Sequence, residues 1–353
     1  MTEINVAIVG ACGYGGCGSV EILAFHPYAK IVALVDQEGV GKPYSSIYPH
    51  LKGFCDMVIL PPEFDSIKER VDVVFFATPD GVGQTYAAYW IKKGARVIDF
   101  SGDFRFQALD QYKEYAKRIG KPEVHSAPEL LKDAVYGLAE LHREEIMKAK
   151  VVGNPGCFAV SCILGLAPAL ASNLIHLDRI ILDAKTGVSG AGKRPNPTFH
   201  YPHRYDNMNA YRIAMHQHVL EIESEYSLLA RQEIRVTFTP HVIPLTRGIL
   251  STIYGSLKDR PGAEEVVALY KEFYKGCAFV RIAGPEEAQQ SSYVRGTNFC
   301  NLWLNVDQRT NTLIVVSHID NLMKGQAGNA VQNMNVMFGL SESTGLMRPS
   351  QYP

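Results

Sequence analysis

One cysteine in this chain stands where a catalytic nucleophile can form. Cys157 follows an Asn-Pro-Gly turn at residues 154–156 and leads directly into an apolar, helix-forming segment. The unpaired amides and the positive dipole end of a helix's first turn favour a thiolate, and they can donate hydrogen bonds to an oxyanion. We therefore predict that Cys157 attacks an acyl carbon. A buried core position, the commoner role of a free cysteine, suits the cysteines in other apolar surroundings: Cys162, Cys277 and Cys300.

A glycine-rich loop near the amino terminus carries a second chemical signal. An apolar strand at residues 6–9 precedes the loop, and residues 19–25 after it have helical spacing. Gly10, Gly13 and Gly16 follow a G-x-x-G-x-x-G pattern, which permits a tight bend and a close approach of a pyrophosphate to the helix amino terminus. Because it stands between a strand and a helix, this pattern predicts a dinucleotide-binding site.

The elements that follow alternate in the way that a doubly wound sheet requires. Residues 71–77 are apolar, residues 86–93 have helical spacing, and residues 96–100 are apolar again. The loops after these strands begin at Thr78 and Ser101. In this fold, such loops line the crevice where ligands bind.

The pattern of the sequence changes from about residue 178, where short runs suggest mostly antiparallel strands. These runs lie at residues 179–184, 234–239, 249–255 and 301–306. We therefore predict an α/β Rossmann nucleotide-binding domain plus an α+β catalytic domain with a mainly antiparallel sheet. The first would comprise residues 1–156 and 321–353, with a returning helix at 321–338, and the catalytic and dimerisation domain would comprise 157–320.

Composition narrows the partners that this chain can have. Its 353 residues are 46% hydrophobic with a formal net charge of -1, and no basic run could hold a nucleic-acid backbone. We expect a small-molecule substrate. The seven cysteines show no paired spacing, which favours a reducing, cytoplasmic location. The longest apolar run, 157–171, is too short to span a bilayer, and the amino terminus lacks a signal-peptide pattern, so no membrane association is expected.

Ordered motifs along nearly the whole chain resemble the N-acetyl-gamma-glutamyl-phosphate reductase family of arginine biosynthesis. They are Gly10-Ala11-Cys12-Gly13-Tyr14, Lys42-Pro43, Tyr48-Pro49-His50-Leu51, Ser101-Gly102-Asp103-Phe104-Arg105, Tyr136-Gly137-Leu138, Asn154-Pro155-Gly156-Cys157, residues 183–192, Phe238-Thr239-Pro240-His241, Arg247-Gly248, Asp320-Asn321 and Lys324-Gly325-Gln326-Ala327-Gly328. The aminoadipyl-phosphate reductases of carrier-linked lysine biosynthesis share much of this pattern and stay an alternative. The resemblance implies a homo-oligomer, a dimer or a tetramer, and no metal site.

The resemblance also implies a covalent mechanism. The thiolate of Cys157 would displace phosphate from an acyl phosphate, and a nicotinamide hydride would reduce the resulting thioester to an aldehyde. Two other classes of protein explain fewer of these features. A cysteine hydrolase or acyltransferase leaves the glycine loop without a purpose, and a non-catalytic nucleotide sensor leaves the cysteine and the histidines unexplained.

The general base is expected in the segment that resembles the family's histidine pair. His218 is favoured, because Glu221 lies three residues further along a helix and can orient its imidazole. His216 is then expected to contact substrate or phosphate. The segment departs from the family pattern at Gln217, where an arginine is usual, and at residues 219–220, where Val-Leu replaces Thr-Pro, so an anion contact is missing or relocated.

Further site residues follow from the loops and from the resemblance. The cations Arg105, Lys185 and Arg247 are expected to bind substrate anions, and Asn154 and the amide of Cys157 to donate to an oxyanion. The predicted cofactor-binding residues are Gly10, Cys12, Gly13, Tyr14, Gly15, Gly16, Asp36, Thr78, Ser101 and Asn321.

The choice of cofactor is open between two readings. The resemblance implies NADPH. Asp36, however, ends the second apolar strand, residues 31–35, where a carboxylate binds a ribose hydroxyl and repels a 2′-phosphate. NADP is therefore the expected cofactor, with NAD kept open.

Overall fold

The computed structural model describes residues 3–351. They form two compact units, with boundaries at Pro155/Gly156, Gly325/Gln326 and Met347/Arg348. The first unit contains the amino-terminal part of the chain and residues 326–347, and the second contains residues 156–325 and the segment from 348. The predicted domains, 1–156 with 321–353 and 157–320, stay a prediction, and their terminal residues Met1, Thr2, Tyr352 and Pro353 lie outside the described residues.

The first unit is built on a six-stranded sheet in which all pairings are parallel. Its strands are β1 (Ile4–Val9), β2 (Ala29–Val35), β3 (Val73–Phe76), β4 (Arg96–Asp99), β5 (Ala134–Tyr136) and β6 (Val151–Gly153), in the order β2-β1-β3-β4-β6-β5. All four residues of β3 are buried, as expected for a parallel strand covered on both faces. The strand order reverses at β1, so the loops after β1 and β3 flank the crevice of a Rossmann-like fold.

Among the described residues, five α-helices belong to the first unit. They are α1 (Tyr14–Leu23), α2 (Val82–Lys92), α3 (Leu109–Arg118), α4 (Ala139–Lys148) and α9 (Gly328–Met337). Both α1 and α4 pack against α9, which follows a π-helical turn at Met323–Ala327. The helical stretch predicted at 321–338 is therefore present, and its α-helical part lies in the first unit.

The second unit contains a seven-stranded sheet. Its strands are β7 (Ile175–Thr186), β8 (Asn209–Ala210), β9 (Val236–Val242), β10 (Ile249–Leu257), β11 (Val280–Ala283), β12 (Cys300–Asp307) and β13 (Thr312–Ile319), in the order β11-β12-β13-β10-β7-β9-β8. The pairs β7–β9 and β11–β12 are parallel, so this sheet is mixed and not plainly mainly antiparallel as predicted. Parallel neighbours require a long connection, because the chain must return to the end of the sheet at which the first strand began. The connection between β7 and β9 is long enough and includes a helix.

The helix that begins at Cys157 is buried inside the second unit. The helices of this unit are α5 (Cys157–Ala171), α6 (Tyr201–Arg204), α7 (His218–Ala230) and α8 (Ala263–Phe273). Residues 158–170 of α5 are all buried, and the helix packs on the sheet and against α7 and α8. Ser161 of α5 hydrogen-bonds Ser251 of β10 and Ser317 of β13, at 2.9 and 3.0 Å. Packing and polar contacts thus fix this helix on the sheet.

Pro168 interrupts the hydrogen bonding of α5 without ending the helix. A proline has no N–H, so the carbonyl of Leu164 loses its usual donor four residues later. The hydroxyl of Tyr274 donates to that carbonyl at 2.5 Å. The carbonyl of Leu164 therefore keeps a hydrogen-bond donor, and the buried helix continues to Ala171. In the described part of the chain, no helix is long and apolar enough to cross a membrane.

Candidate active site

Cys157 is the first residue of α5, as its turn predicted. Gly156 is the N-cap in an extended conformation and provides no side-chain cap, so no side chain of the N-cap competes for the first amides of the helix. Cys157 itself is partly exposed. Gly325 lies so close that a Cβ on it would be 2.7 Å from the Cβ of Cys157, so only glycine leaves room for the thiol there.

His218 lies directly against the turn before Cys157. Its Nε2 lies against Gly156, because a Cβ built on that glycine would be 2.3 Å from this nitrogen. His218 is the first residue of α7, and α7 packs against α5. The packing of two helix amino termini therefore places an imidazole beside the residue that precedes Cys157.

The buried carboxylate of Glu221 connects the histidine to the same turn. Its Oε2 accepts the amide of Gly156 at 2.9 Å, and its Oε1 lies 3.9 Å from Nε2 of His218. Glu221 is 1% exposed, so its charge is compensated only by partners inside the unit. The predicted spacing of three residues along a helix therefore does bring Glu221 to His218.

His216 occupies a closed aromatic environment rather than an anion site. Its ring lies 5.4 to 5.6 Å from the rings of Phe158, Tyr211 and Phe238, and it is 4% exposed. Burial, and then the charges of His218 and Arg212, lower the pKa of His216 to about 2. Its Nδ1 accepts the amide of His218 at 3.2 Å. A neutral ring held in this way favours support of the α7 amino terminus over the predicted phosphate contact.

The region that departs from the family pattern has its own contacts. Oε1 of Gln217 accepts a hydrogen bond from Nη1 of Arg212 at 2.8 Å. Val219 is buried, whereas Arg212 is exposed. Sequence reasoning missed Arg212, since it precedes the histidines in a loop and shares no helical spacing with them.

Two predicted substrate cations of the second unit already have carboxylate partners. Nε of Arg247 lies 3.1 Å from Oδ2 of Asp320, which is fully buried. Nζ of Lys185 lies 2.8 Å from Oδ2 of Asp183. Their positive charges are therefore largely compensated within the unit, which sequence spacing alone did not reveal.

Asn321, a predicted nicotinamide contact, connects two loops of the second unit. Its Oδ1 accepts the amide of Gly248 at 2.8 Å, and its Nδ2 donates to Oγ of Ser189 at 3.0 Å. The side chain is 2% exposed. These contacts hold the glycine-rich loop after β7 next to the loop that carries Arg247.

In the first unit, the glycine loop has the shape that its pattern predicted. Gly10 has a φ of +81°, and a Cβ on it would be 2.4 Å from the carbonyl oxygen of Ala77. A Cβ on Gly16 would lie 2.4 Å from the carbonyl oxygen of Gly10, so that glycine permits α1 to close on the loop. Gly13 is the N-cap of α1 and provides no side-chain hydrogen bond.

A dinucleotide fits the residues around this loop. The first amides of α1, at Tyr14 and Gly15, begin a helix whose first turn contains no acidic residue, which suits a pyrophosphate. The Oγ1 of Thr78, beside Gly10, is buried and has no hydrogen-bond partner among the described residues. A ligand oxygen at this point would satisfy it.

Asp36 is bonded to the glycine loop as well as ending β2. Its Oδ2 accepts the amide of Cys12 at 2.8 Å, and its Oδ1 accepts the amide of Glu38 at 3.0 Å. The carboxylate therefore also supports the loop. Each carboxylate oxygen can accept a further hydrogen bond, so a ribose hydroxyl remains compatible with this geometry.

Two tyrosines that no sequence argument singled out hold the same loop. The hydroxyl of Tyr44 donates to the carbonyl of Ala11 at 2.8 Å, and that of Tyr48 donates to the carbonyl of Cys12 at 2.7 Å. Their distance along the chain hid this role, although Tyr48 lies in a motif that carried the family resemblance.

Arg105 and Asn154 are joined to each other in the first unit. Nε of Arg105 donates to the carbonyl of Asn154 at 2.8 Å, and Nη2 donates to that of Phe100 at 2.7 Å. The Oδ1 of Asn154 accepts hydrogen bonds from Asn329 and Asn333, and its Nδ2 donates to the carbonyl of Gln326. The buried amide of Asn154 thus has structural partners, which leaves the amide of Cys157 as the better oxyanion donor.

Ser101 lies beside two buried carboxyl groups. Its hydroxyl donates to Oδ2 of Asp99 at 2.5 Å, and Asp99 is fully buried. Burial, and then the charge of Asp103, raise the pKa of Asp99 well above its usual range. Asp103 accepts the amides of Gly81 and Gln84, and so caps α2. The predicted cofactor contact of Ser101 therefore stays a prediction.

Comparisons with known proteins agree with both units. The family model described as "Semialdehyde dehydrogenase, NAD binding domain" matches residues 5–149. The model described as "Semialdehyde dehydrogenase, dimerisation domain" matches residues 157–321. Together the two models cover most of the chain.

Curated relatives match the chain over nearly its full length. N-acetyl-gamma-glutamyl-phosphate reductase of Pelotomaculum thermopropionicum is 43% identical over 350 residues, covering 99% of each chain. The protein of that name from Heliobacterium modesticaldum is 41% identical, covering 99% of this chain and all of its own length. The one from Citrifermentans bemidjiense is 44% identical, covering 97% and 98%.

Solved structures share the fold at low sequence identity. Aspartate semialdehyde dehydrogenase II of Vibrio cholerae, complexed with ASA, has a TM-score of 0.72 at 17% identity and covers 96% of this chain and 99% of its own. Aspartate semialdehyde dehydrogenase of Candida albicans with NADP has a TM-score of 0.66 at 15% identity, with the same coverage. At these identities the likeness concerns the fold alone.

Proposed function

The chain belongs to the N-acetyl-gamma-glutamyl-phosphate reductase family of NAD(P)-dependent semialdehyde dehydrogenases, and we propose that it reduces N-acetyl-gamma-glutamyl phosphate to N-acetylglutamate semialdehyde with NADPH. This is the reductive dephosphorylation step of arginine biosynthesis. The reaction would proceed through a thioester on Cys157.

One observation carries this proposal: a cysteine, a histidine and a glutamate meet at one turn. Cys157 begins α5, Nε2 of His218 lies against Gly156, and Glu221 accepts the amide of that glycine. A thiol at a helix amino terminus with a base beside it is the arrangement of an activated nucleophile.

The first half of the reaction requires proton removal and substitution at the acyl carbon. His218 takes the proton from Sγ of Cys157, and the buried carboxylate of Glu221 stabilises the imidazolium that forms. The thiolate then forms a bond to the acyl carbon, the bond from that carbon to the phosphate oxygen breaks, and phosphate leaves. The amide of Cys157 donates to the oxyanion that develops during this step.

The second half of the reaction returns the nucleophile. When bound, the reduced nicotinamide supplies the hydride that converts the thioester carbonyl to a hemithioacetal. The hemithioacetal oxyanion would then re-form its carbonyl as the carbon–sulfur bond breaks, so that the aldehyde forms and the thiolate of Cys157 leaves. The imidazolium of His218 would return to Sγ of Cys157 the proton that it took in the first half of the reaction. The chain's own groups therefore return to their starting protonation states.

The first unit would hold the dinucleotide. The amides of Gly13, Tyr14 and Gly15 would bind the pyrophosphate, with Thr78 supplying a hydroxyl partner. We propose NADPH as the working cofactor from family membership. The carboxylate of Asp36 would repel a 2′-phosphate, so we expect this residue to limit the preference for NADPH over NADH.

We propose that the chain acts as a homo-oligomer, a dimer or a tetramer, in the cytoplasm. The dimerisation-domain model covers residues 157–321. In β10, buried residues alternate with half-buried ones, and α5 packs on this strand. The half-buried face presents Leu250, Thr252, Tyr254 and Ser256, and its mixture of apolar and hydroxyl side chains suits contact with a second copy.

A matrix of substrates and cofactors tests the proposed function. In the reverse direction, N-acetylglutamate semialdehyde, its homologue with one more carbon, and aspartate semialdehyde are each offered with phosphate and with NADP or NAD. The expected result is reduction of NADP with the first substrate at the highest kcat/KM. A preference for the longer homologue would point to the aminoadipyl reaction, and hydrolysis without hydride transfer would contradict a reductase.

A further inference from the structure

The loop before α7 carries a cation that neither the spacing of motifs nor the family resemblance singled out. Arg212 follows β8 and Tyr211 and is exposed. Within the described residues, the single polar partner of its guanidinium is the amide oxygen of Gln217, 2.8 Å from Nη1. Gln217 stands between His216 and His218, so this contact holds the guanidinium next to the histidine pair.

The charge of Arg212 is not compensated, in contrast to two neighbouring candidates of the second unit. Arg247 is paired with the buried carboxylate of Asp320, and Lys185 is paired with Asp183. The partner of Arg212 is a neutral amide. Of these three cations, only Arg212 brings a full positive charge to an incoming anion.

Contacts of the preceding residue connect the loop that carries Arg212 to the turn before Cys157. The ring of Tyr211, the preceding residue, lies 5.6 Å from that of His216, whose ring lies 4.7 Å from that of His218. Nε2 of His218 lies against Gly156, next to Cys157. The charge of Arg212 also contributes to the lowered pKa of His216, as expected for a nearby cation.

The backbone of the loop is held in an uncommon conformation. Arg212 and Ala214 have φ values of +44° and +58°, in the left-handed region that side chains other than glycine rarely adopt. Such conformations are energetically unfavourable and persist where the surrounding structure imposes them, often at functional sites. The hydrogen bond to Gln217 is one such constraint on the side chain.

We propose that Arg212 binds an oxyanion of the substrate, its phosphate or its α-carboxylate. The inference rests on the proposed function, which supplies a substrate with both groups. With Nη1 donating to Gln217, the Nε–Nη2 edge of the guanidinium can form two parallel hydrogen bonds with either anion. Gln217 is then a positioning residue, because it acts through Arg212.

The reverse reaction separates the two anions, since phosphate and the semialdehyde are independent substrates. For Arg212→Ala we expect the KM of one of them to rise about 10- to 100-fold, the usual worth of a charged hydrogen-bond pair, while kcat changes little. Arg212→Lys should recover part of the loss. Gln217→Ala should raise the same KM by a smaller factor, because it removes only the support.

Arg231→Ala is the matched control. Arg231 is also exposed and also has a left-handed backbone, with a φ of +53°, but it follows the opposite end of α7. Its substitution should leave both KM values unchanged. Circular dichroism and melting temperature are compared for every variant, and Arg212→Gln replaces the alanine variant if that variant does not fold.

The outcomes separate this proposal from the function on which it rests. A higher KM for phosphate assigns Arg212 to the phosphate, and a higher KM for the semialdehyde assigns it to the carboxylate. Unchanged KM values for both, or equal changes in Arg231→Ala, overturn the proposal. If the wild-type protein does not turn over these substrates, the proposed function fails, whatever Arg212 does.

Discussion

At the scale of single residues, the contacts of Glu221 connect His218 to the turn before Cys157. A carboxylate that is 1% exposed has to be matched by donors, and it has the amide of Gly156 and the imidazole of His218 nearby. It accepts the amide of the turn before Cys157, and its second oxygen lies 3.9 Å from Nε2 of His218. Loss of the Glu221 carboxylate, the Gly156 amide or the His218 imidazole would therefore disturb the other two groups.

Cys157→Ser should abolish reduction and leave cofactor binding intact. A serine hydroxyl gives no accessible anion at neutral pH, and loss of a nucleophile lowers kcat by at least about 10³-fold. Single-turnover assays with the acyl phosphate, together with titration of NADPH by its fluorescence, measure both properties. Retention of a large share of wild-type kcat in the serine variant would rule out the thioester route.

His218→Ala and His216→Ala should differ in what they damage. Loss of the general base lowers kcat by about 10²- to 10⁴-fold. His216 is neutral and packed among aromatic rings, so its replacement should lower the melting temperature, and it should lower kcat much less than the replacement of His218 does. Kinetics and thermal unfolding of both variants decide the matter, and equal losses of kcat would mean that the base is assigned to the wrong residue.

At the scale of elements, two helix amino termini meet, and glycine permits their contact. The Cα of Gly156, the N-cap of α5, lies against the first side chain of α7. No β-carbon fits between them. The position of the His218 imidazole therefore depends on a glycine at position 156.

Gly156→Ala should lower kcat by about 10²-fold, because an added Cβ would displace Nε2 of His218 and a misplacement near 1 Å is that costly. Gly262→Ala is the matched control. Gly262 is also an N-cap, with a φ of -72° against -71° for Gly156, and no atom lies within 4 Å of the added Cβ. Equal activity in the two variants would contradict the contact with His218.

Asp36→Asn should shift cofactor choice towards NADPH. The asparagine can still accept an amide of the glycine loop, but it no longer repels a 2′-phosphate, and removal of a charge at contact distance is worth about 5-fold in water. The ratio of kcat/KM for NADPH and NADH measures the effect. High salt should reduce it.

Glu38→Gln provides the comparison for Asp36→Asn, since it removes a neighbouring exposed charge. Its cofactor ratio should stay near that of the wild type. An unchanged ratio in Asp36→Asn, or the same shift in both variants, would show that Asp36 does not face the adenosine ribose.

At the scale of the whole molecule, buried histidines make stability depend on pH. Burial lowers the pKa of His318, in β13, to about 4, and also lowers the pKa of His26, His125 and His216. The folded protein therefore binds these protons later than the unfolded chain does, as the pH falls. These groups contribute their full stabilisation at a pH above their unfolded pKa of 6.5, and this contribution is lost as the pH falls towards their folded pKa.

His318→Gln should flatten the decline of stability between pH 6.5 and about 4. One histidine contributes at most about 1.4 kcal/mol per pH unit over this window. Urea unfolding at several pH values measures the slope, with His176→Gln, at an exposed position, as the control. Identical slopes in His318→Gln and the wild type would contradict this origin of the acid sensitivity.

The sequence by itself determined the features that depend on local signals. An N-cap glycine before an apolar run placed Cys157 at a helix start, and three glycines between a strand and a helix predicted the loop after β1. Helical spacing placed Glu221 beside His218. Each of these signals acts within about one helical turn or one strand–loop–helix unit, so the residue types and their spacing suffice.

Only the tertiary structure decided what depends on partners distant along the chain. Arg247 is paired with Asp320 and His216 is enclosed by aromatic rings, so neither has the open environment that its residue type suggested. The direction of strand pairing in the second sheet and the exposed guanidinium of Arg212 were equally hidden. The physical reason is that burial and charge compensation depend on which segments pack together, and local periodicity contains no information about that choice.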